Sequence, residues 1–123
     1  MEINDISGQI VDAAMKVHTA LGPGLLESAY QACLAYELRQ RGLQVETEVE
    51  LPVHYDGIRL DVGYRLDMLV ESQVIVELKS VETVIPLHEA QLLSYLKLSG
   101  NKIGLLINFK VARLKNGIIR LAN

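Results

Sequence analysis

From Leu43 to Lys79 the chain alternates apolar and polar residues almost without a break, interrupted twice by turn signals, and that pattern demands a three-stranded antiparallel meander. In "LQVETEVELPVHY" the apolar set is odd-numbered, running from Leu43 to Tyr55. After Asp56-Gly57, a favoured two-residue hairpin turn, the parity flips. Ile58, Leu60, Val62, Tyr64, Leu66, Met68 and Val70 are now the apolar positions. The turn pairs Tyr55 with Ile58, so opposed residue numbers add to 113, and the same register ends on Leu43 opposite Val70. A slip of one residue would turn every apolar side chain to the wrong face. The next turn, "ESQ", pairs Val70 with Val74 and aligns Met68 and Leu66 with Val76 and Leu78.

The polar face of this meander carries an electrostatic problem. The two registers line up a row Glu46–Asp67–Glu77 beside a row Glu48–Arg65–Lys79. Carboxylates directly opposed across strands, with Cβ atoms about 4.5–5.5 Å apart, repel and destabilise the sheet. A shared proton, a nearby cation or a bound metal offsets such repulsion. Two readings stay open on spacing alone. Arg65 and Lys79 can satisfy the acids as a mixed-charge face of diagonal ion pairs. Alternatively, Asp67 and Glu77 hold a hard divalent cation, as Mg²⁺ is held by one or two carboxylates and retained waters.

Helical periodicity flanks the meander. Ile6, Ile10, Ala13, Ala14, Val17 and Leu21 predict an amphipathic helix over about 5–20, stopped by "LGPG". Pro23 is placed to open a second helix, "LLESAYQACLAYELRQR", running to Gly42, with Leu26, Ala29, Tyr30, Cys33, Leu34 and Leu38 on its buried side. Pro86 starts a third, closed by Gly100, on which His88, Gln91 and Tyr95 share a face. "KIGLLINF" reads as a fully buried central strand and "KVARLKNGIIRLAN" as a basic hairpin turning at Asn116-Gly117. The order α-α-β-β-β-α-β-β predicts an α/β (α+β) mixed central sheet flanked by helices.

Length and composition narrow the class. At 123 residues, half of them hydrophobic, the chain is expected to form one globular domain over 1–123. No apolar run reaches the length of a membrane span, and the polar N-terminus is unlike a signal peptide. The single cysteine, Cys33, permits no internal disulfide and suits a reducing cytoplasm, with the thiol expected in the core. Residues 1–78 hold five Lys/Arg against thirteen Asp/Glu, and residues 79–123 hold seven against two. That asymmetry is either a solvated basic face or a phosphate-binding flank beside an acidic centre.

Taken together, several motifs carry a resemblance. Asp67, nine intervening residues, then Glu77-Leu78-Lys79 resembles the D-x(n)-E-x-K signature of the PD-(D/E)XK nuclease superfamily, with Leu66 standing where its name has proline. Gln91-x-x-x-Tyr95 is similar to the Q-x-x-x-Y motif of the RecB-like exonuclease branch, and Gly24, Glu27 and Tyr30 match the pattern that names the GxxExxY family. The resemblance spans essentially the whole chain and implies a restriction-endonuclease-like core.

It also implies a chemistry. Asp67 and Glu77 would bind Mg²⁺ or Mn²⁺, which polarises a scissile phosphate and lowers the pKa of an attacking water. Lys79 would orient that water or neutralise developing charge. By the same resemblance Glu27 becomes a further acid at the metal, where the helix dipole alone would also favour a carboxylate. Gln91 and Tyr95 would brace the site or contact nucleic acid. The implied activity is Mg²⁺-dependent hydrolysis of DNA, on ends, single strands or junctions, with a homodimer among the expected partners. The alternative is a catalytically silent nuclease-fold module that binds nucleic acid or regulates.

Overall fold

The computed structural model describes residues 1–123. The elements are α1 (Ile3–Leu21), α2 (Glu27–Gln40), β1 (Val45–Tyr55), β2 (Ile58–Val70), β3 (Val74–Lys79), α3 (Pro86–Ser99), β4 (Ile103–Asn108) and β5 (Ile118–Ala122), the predicted order. The five strands form one sheet in the order β1-β2-β3-β4-β5. Only β3 and β4 run parallel, and α3 supplies the crossover that a parallel pair requires. Both strands are buried along nearly their whole length, as sheet centres covered on both faces must be.

Alternate residues of β3 divide the interior. Val74, Val76 and Leu78 join the larger apolar cluster, filled by Ile6, Ile10, Ala13 and Ala14 of α1 and by Tyr30, Leu34 and Leu38 of α2. Ile75, facing the other way, joins Leu92, Tyr95 and Leu96 of α3. Cys33 is partly buried against the larger cluster, not fully enclosed in it. No helix is long and apolar enough to cross a membrane.

Helix α2 begins at Glu27, two residues inside the stretch expected to be helical from Leu25. The Tyr30 hydroxyl donates to the Gly22 carbonyl and accepts the Leu25 N–H, which holds 22–26 as a loop. Leu26, expected on the buried side, is consequently 77% exposed. At the other end of the chain, Asn116-Gly117 does not turn a tight hairpin. It closes a short 3₁₀ turn (Leu114–Gly117), and β5 pairs with β4 itself. Any side chain at Gly117 would place Cβ 2.2 Å from the Asn108 carbonyl oxygen, so only glycine permits this approach.

The β1–β2 register corrects the prediction in an instructive way. Near the turn, Tyr55 faces Ile58 and Val53 faces Leu60, as expected. Pro52 then stands alone on β1 against Asp61, Val62 and Gly63 of β2, with Gly63 at φ +85°. Proline cannot donate to a ladder and glycine tolerates the left-handed bend, so a bulge forms here. Beyond it Leu51 faces Tyr64, Val49 faces Leu66 and Val45 faces Val70, a shift of two residues. A two-residue shift preserves side-chain parity, so apolar patterning cannot detect it. Glu46 therefore pairs with Leu69, not Asp67, and Arg65 pairs with Glu50, not Glu48.

The single apolar face expected along β2 is also divided. Met68 and Val70 pack in the α1/α2 cluster, whereas Leu66 packs with Leu51 and the α3 residues. The division falls at Asp67.

Candidate active site

The β2–β3 ladder runs in the predicted register from Val70–Val74 to Met68–Val76 and stops there. At the next pair the strands exchange side-chain bonds instead. The Asp67 N–H donates to Glu77 Oε2 at 2.8 Å, and the Leu78 N–H donates to Asp67 Oδ2 at 2.8 Å. Each carboxylate thus takes the place of a backbone carbonyl and props the strands apart. This reciprocal bonding holds both acids side by side at the fork. One oxygen of each, Asp67 Oδ1 and Glu77 Oε1, makes no bond to protein. No buried side-chain oxygen lacks a partner, so these two reach solvent.

The cost of this arrangement is electrostatic. Glu77 is only 6% exposed. Burial, and then repulsion from Asp67, push its pKa up to about 8, against the lowering by the Asp67 N–H and by Lys79. Burial raises Asp67 as well, opposed by the Leu78 N–H and by Lys79, with the charges of Glu27 and Glu48 adding to the rise. Tyr95 is held above the ordinary phenol range by burial, then by Glu77, its ring neighbour Tyr64, and Asp67.

Lys79 and Glu27 thus act electrostatically on Asp67, Lys79 also on Glu77, and both Asp67 and Glu77 on Tyr95. Gln91 is exposed, one turn before Tyr95, and lines with it and Tyr64 a cavity of about 560 Å³. His88, on the same helix face, is occupied otherwise: its Nδ1 accepts the Ile85 N–H and closes the helix start. Arg65 is exposed and makes no ion pair with the acids; all five ion pairs of the structure lie elsewhere. The diagonal pairing through Arg65 is therefore absent. No three His, Cys, Asp or Glu side chains converge into a ready metal cage, so Glu27 acts on Asp67 by its charge without completing one.

Three contributors escaped the sequence reading. Glu48 falls across from Asp67, between the Thr47–Met68 and Val49–Leu66 pairs, and takes φ +53°. A left-handed glutamate in a strand is costly and gathers at sites that exploit it. Only the bulge, hidden from parity, brings it there. Ser80 follows Lys79 and donates from Oγ to the Leu25 carbonyl at 2.8 Å. With Tyr30, whose ring stacks on Phe109 at 4.2 Å, it pins the loop that delivers Glu27. Asn108, in register with Lys79, is buried and clasps Val81 with both atoms of its amide. A lone asparagine inside "GLLINF" was the available signal, since a buried amide must find partners.

A five-stranded mixed sheet with helices on both faces, an Asp and a Glu at a strand fork and a lysine two residues on defines a restriction-endonuclease-like domain. A family model for the PD-(D/E)XK nuclease superfamily matches residues 4–121, and the chain belongs to that superfamily. No curated protein and no solved structure matches the chain.

Proposed function

We propose that this chain is a single-domain, Mg²⁺- or Mn²⁺-dependent nuclease of the GxxExxY branch that hydrolyses DNA phosphodiester bonds in the cytoplasm. The observation that carries the reading is the strand fork, where two carboxylates are held together at an electrostatic cost that a cation would relieve. The donor set fits a hard divalent ion: two carboxylates, each presenting one free oxygen to solvent. Asp67 and Glu77 would hold such an ion, with Glu27 adding negative charge beside Asp67, and the ion would supply Lewis-acid polarisation of a scissile phosphate and a more acidic water.

The chain's own groups do the rest. Lys79 lowers both carboxylates and so stands within electrostatic reach of them, where it stabilises negative charge developing on the phosphate. Tyr95, kept protonated, offers an O–H donor, and Gln91 an amide on the same helix face; both are suited to phosphate oxygens. Glu48 deepens the negative potential that draws the cation. Arg113 and Lys115 are exposed between β4 and β5, near Lys110, which pairs with Glu82 at 2.8 Å, and this basic segment suits sequence-independent contact with a nucleic-acid backbone.

The test is cleavage of a panel of DNA and RNA substrates with and without Mg²⁺ or Mn²⁺, alongside Asp67→Ala and Lys79→Ala. Metal-dependent cleavage lost in both variants is the expected result. No cleavage of any substrate, or equal cleavage by the variants, would sink the proposal. Salt-sensitive DNA binding indifferent to Mg²⁺ and to Asp67→Ala would instead establish a silent nucleic-acid-binding module.

A further inference from the structure

The β1–β2 hairpin outruns the domain that supports it. Strand β3 pairs with β2 only from Met68 to Val70, so from Ile58 to Arg65 the second edge of β2 has no partner strand. Strand β1 is the outermost strand of the sheet. The distal hairpin is therefore a two-stranded ribbon open along both edges. Such ribbons are marginal in water without a third strand or a packed face.

One face of the ribbon is apolar. Directly opposed residues share a face, so Val53 with Leu60, and Tyr55 with Ile58, lie on the side that also carries Leu51 and Tyr64. Leu51 packs under α3 and Tyr64 rests on Tyr95, with ring centroids 5.9 Å apart. The face that α3 covers in the body thus continues, uncovered, out along the ribbon. Tyr55, Ile58, Leu60, Val62, Tyr64 and, across the cavity on α3, Leu87 are each between 43% and 72% exposed. At roughly 150–200 Å² for a fully exposed residue of this size, they present about 500–700 Å² of largely apolar surface. That is at the upper end of a typical monomer's largest patch and approaches the about 800 Å² per partner of a standard interface.

We propose that this face is the interface of a homodimer, ribbon packed on ribbon about a two-fold axis. A second copy is the occupant the surface fits, because its area is about half that of a stable interface and its apolar residues complement themselves in an isologous contact. Nucleic acid does not suit it: between Val53 and Tyr64 the charged residues are Asp56, Arg59 and Asp61, and Arg59 and Asp61 already pair at 3.2 Å. The inference is independent of the reading of the carboxylate fork.

Sedimentation velocity of the full chain, without metal or substrate, tests it across the micromolar range. The wild type is expected at twice the chain mass. Tyr55→Glu and Ile58→Glu, on exposed positions that leave thermal unfolding of the protomer intact, are expected to raise the dissociation constant about 30-fold or more, as loss of an interface anchor does. His54→Glu, on the opposite face of the ribbon, is expected to leave it unchanged. A wild-type monomer throughout, or a dimer surviving both substitutions, overturns the proposal. Unchanged mass with salt-sensitive loss of DNA binding in Ile58→Glu would give the face to nucleic acid instead.

Discussion

Glu77→Gln isolates the electrostatic cost of the strand fork. The glutamine carbonyl can still accept the Asp67 N–H that Glu77 Oε2 accepts, so the backbone arrangement survives while the charge is removed. In the wild type the folded state keeps a proton on Glu77 up to about 8, whereas the unfolded chain loses it near 4.5. Between those values the folded state binds more protons, so stability falls as pH rises; the contribution is fully present below 4.5 and gone above about 8. At 1.36 kcal/mol per decade the ceiling is about 5 kcal/mol. Asp67 titrates with Glu77 as a coupled pair, so about half of that is the portion expected for this side chain alone. Urea unfolding in a chelator at pH 5, 7 and 9 is the assay. The variant should match the wild type at pH 5 and exceed it by about 2–3 kcal/mol at pH 9. A stability difference that does not change with pH would refute the reasoning, because it would mean that Glu77 carries no buried charge to relieve.

Asp67→Asn keeps an acceptor for the Leu78 N–H, so the fold should persist while cleavage falls by at least ~10²-fold, read as single-turnover rate. Tyr30→Phe retains the stacking on Phe109 but loses the hydroxyl that holds Gly22 and Leu25. It should cost about 1–3 kcal/mol in urea unfolding and lower activity by loosening the loop before Glu27. Gly117→Ala should destabilise by about 3 kcal/mol or more, since its Cβ meets the Asn108 carbonyl at 2.2 Å; a wild-type melting temperature would contradict that contact. Mg²⁺ should raise the melting temperature of the wild type at pH 8 and leave that of Asp67→Asn unchanged, because ligand binding to the folded state stabilises it by mass action.

Sequence alone determined what depends on local chemistry and periodicity. The strands and helices, their order, the Val70–Val74 register of the second hairpin and the adjacency of Asp67 and Glu77 follow from alternation with period 2, helical spacing and turn residues. Pro86 and Gly100 bound α3 where they were expected to, because a fixed φ and a left-handed cap act within a few residues. Tertiary structure decided what parity cannot encode. The Pro52/Gly63 bulge shifts β1 by two residues, which leaves every apolar side chain on its proper face yet replaces Glu46 by Glu48 beside Asp67. The loop before Glu27 is set by Tyr30 bonding back to Gly22 and by Ser80 reaching Leu25 across 55 residues of chain, against the local helix-opening signal of Pro23. The exposed ribbon arises because β3 ends its pairing at the carboxylate fork, so the acids that build the site also leave β2 without a neighbour.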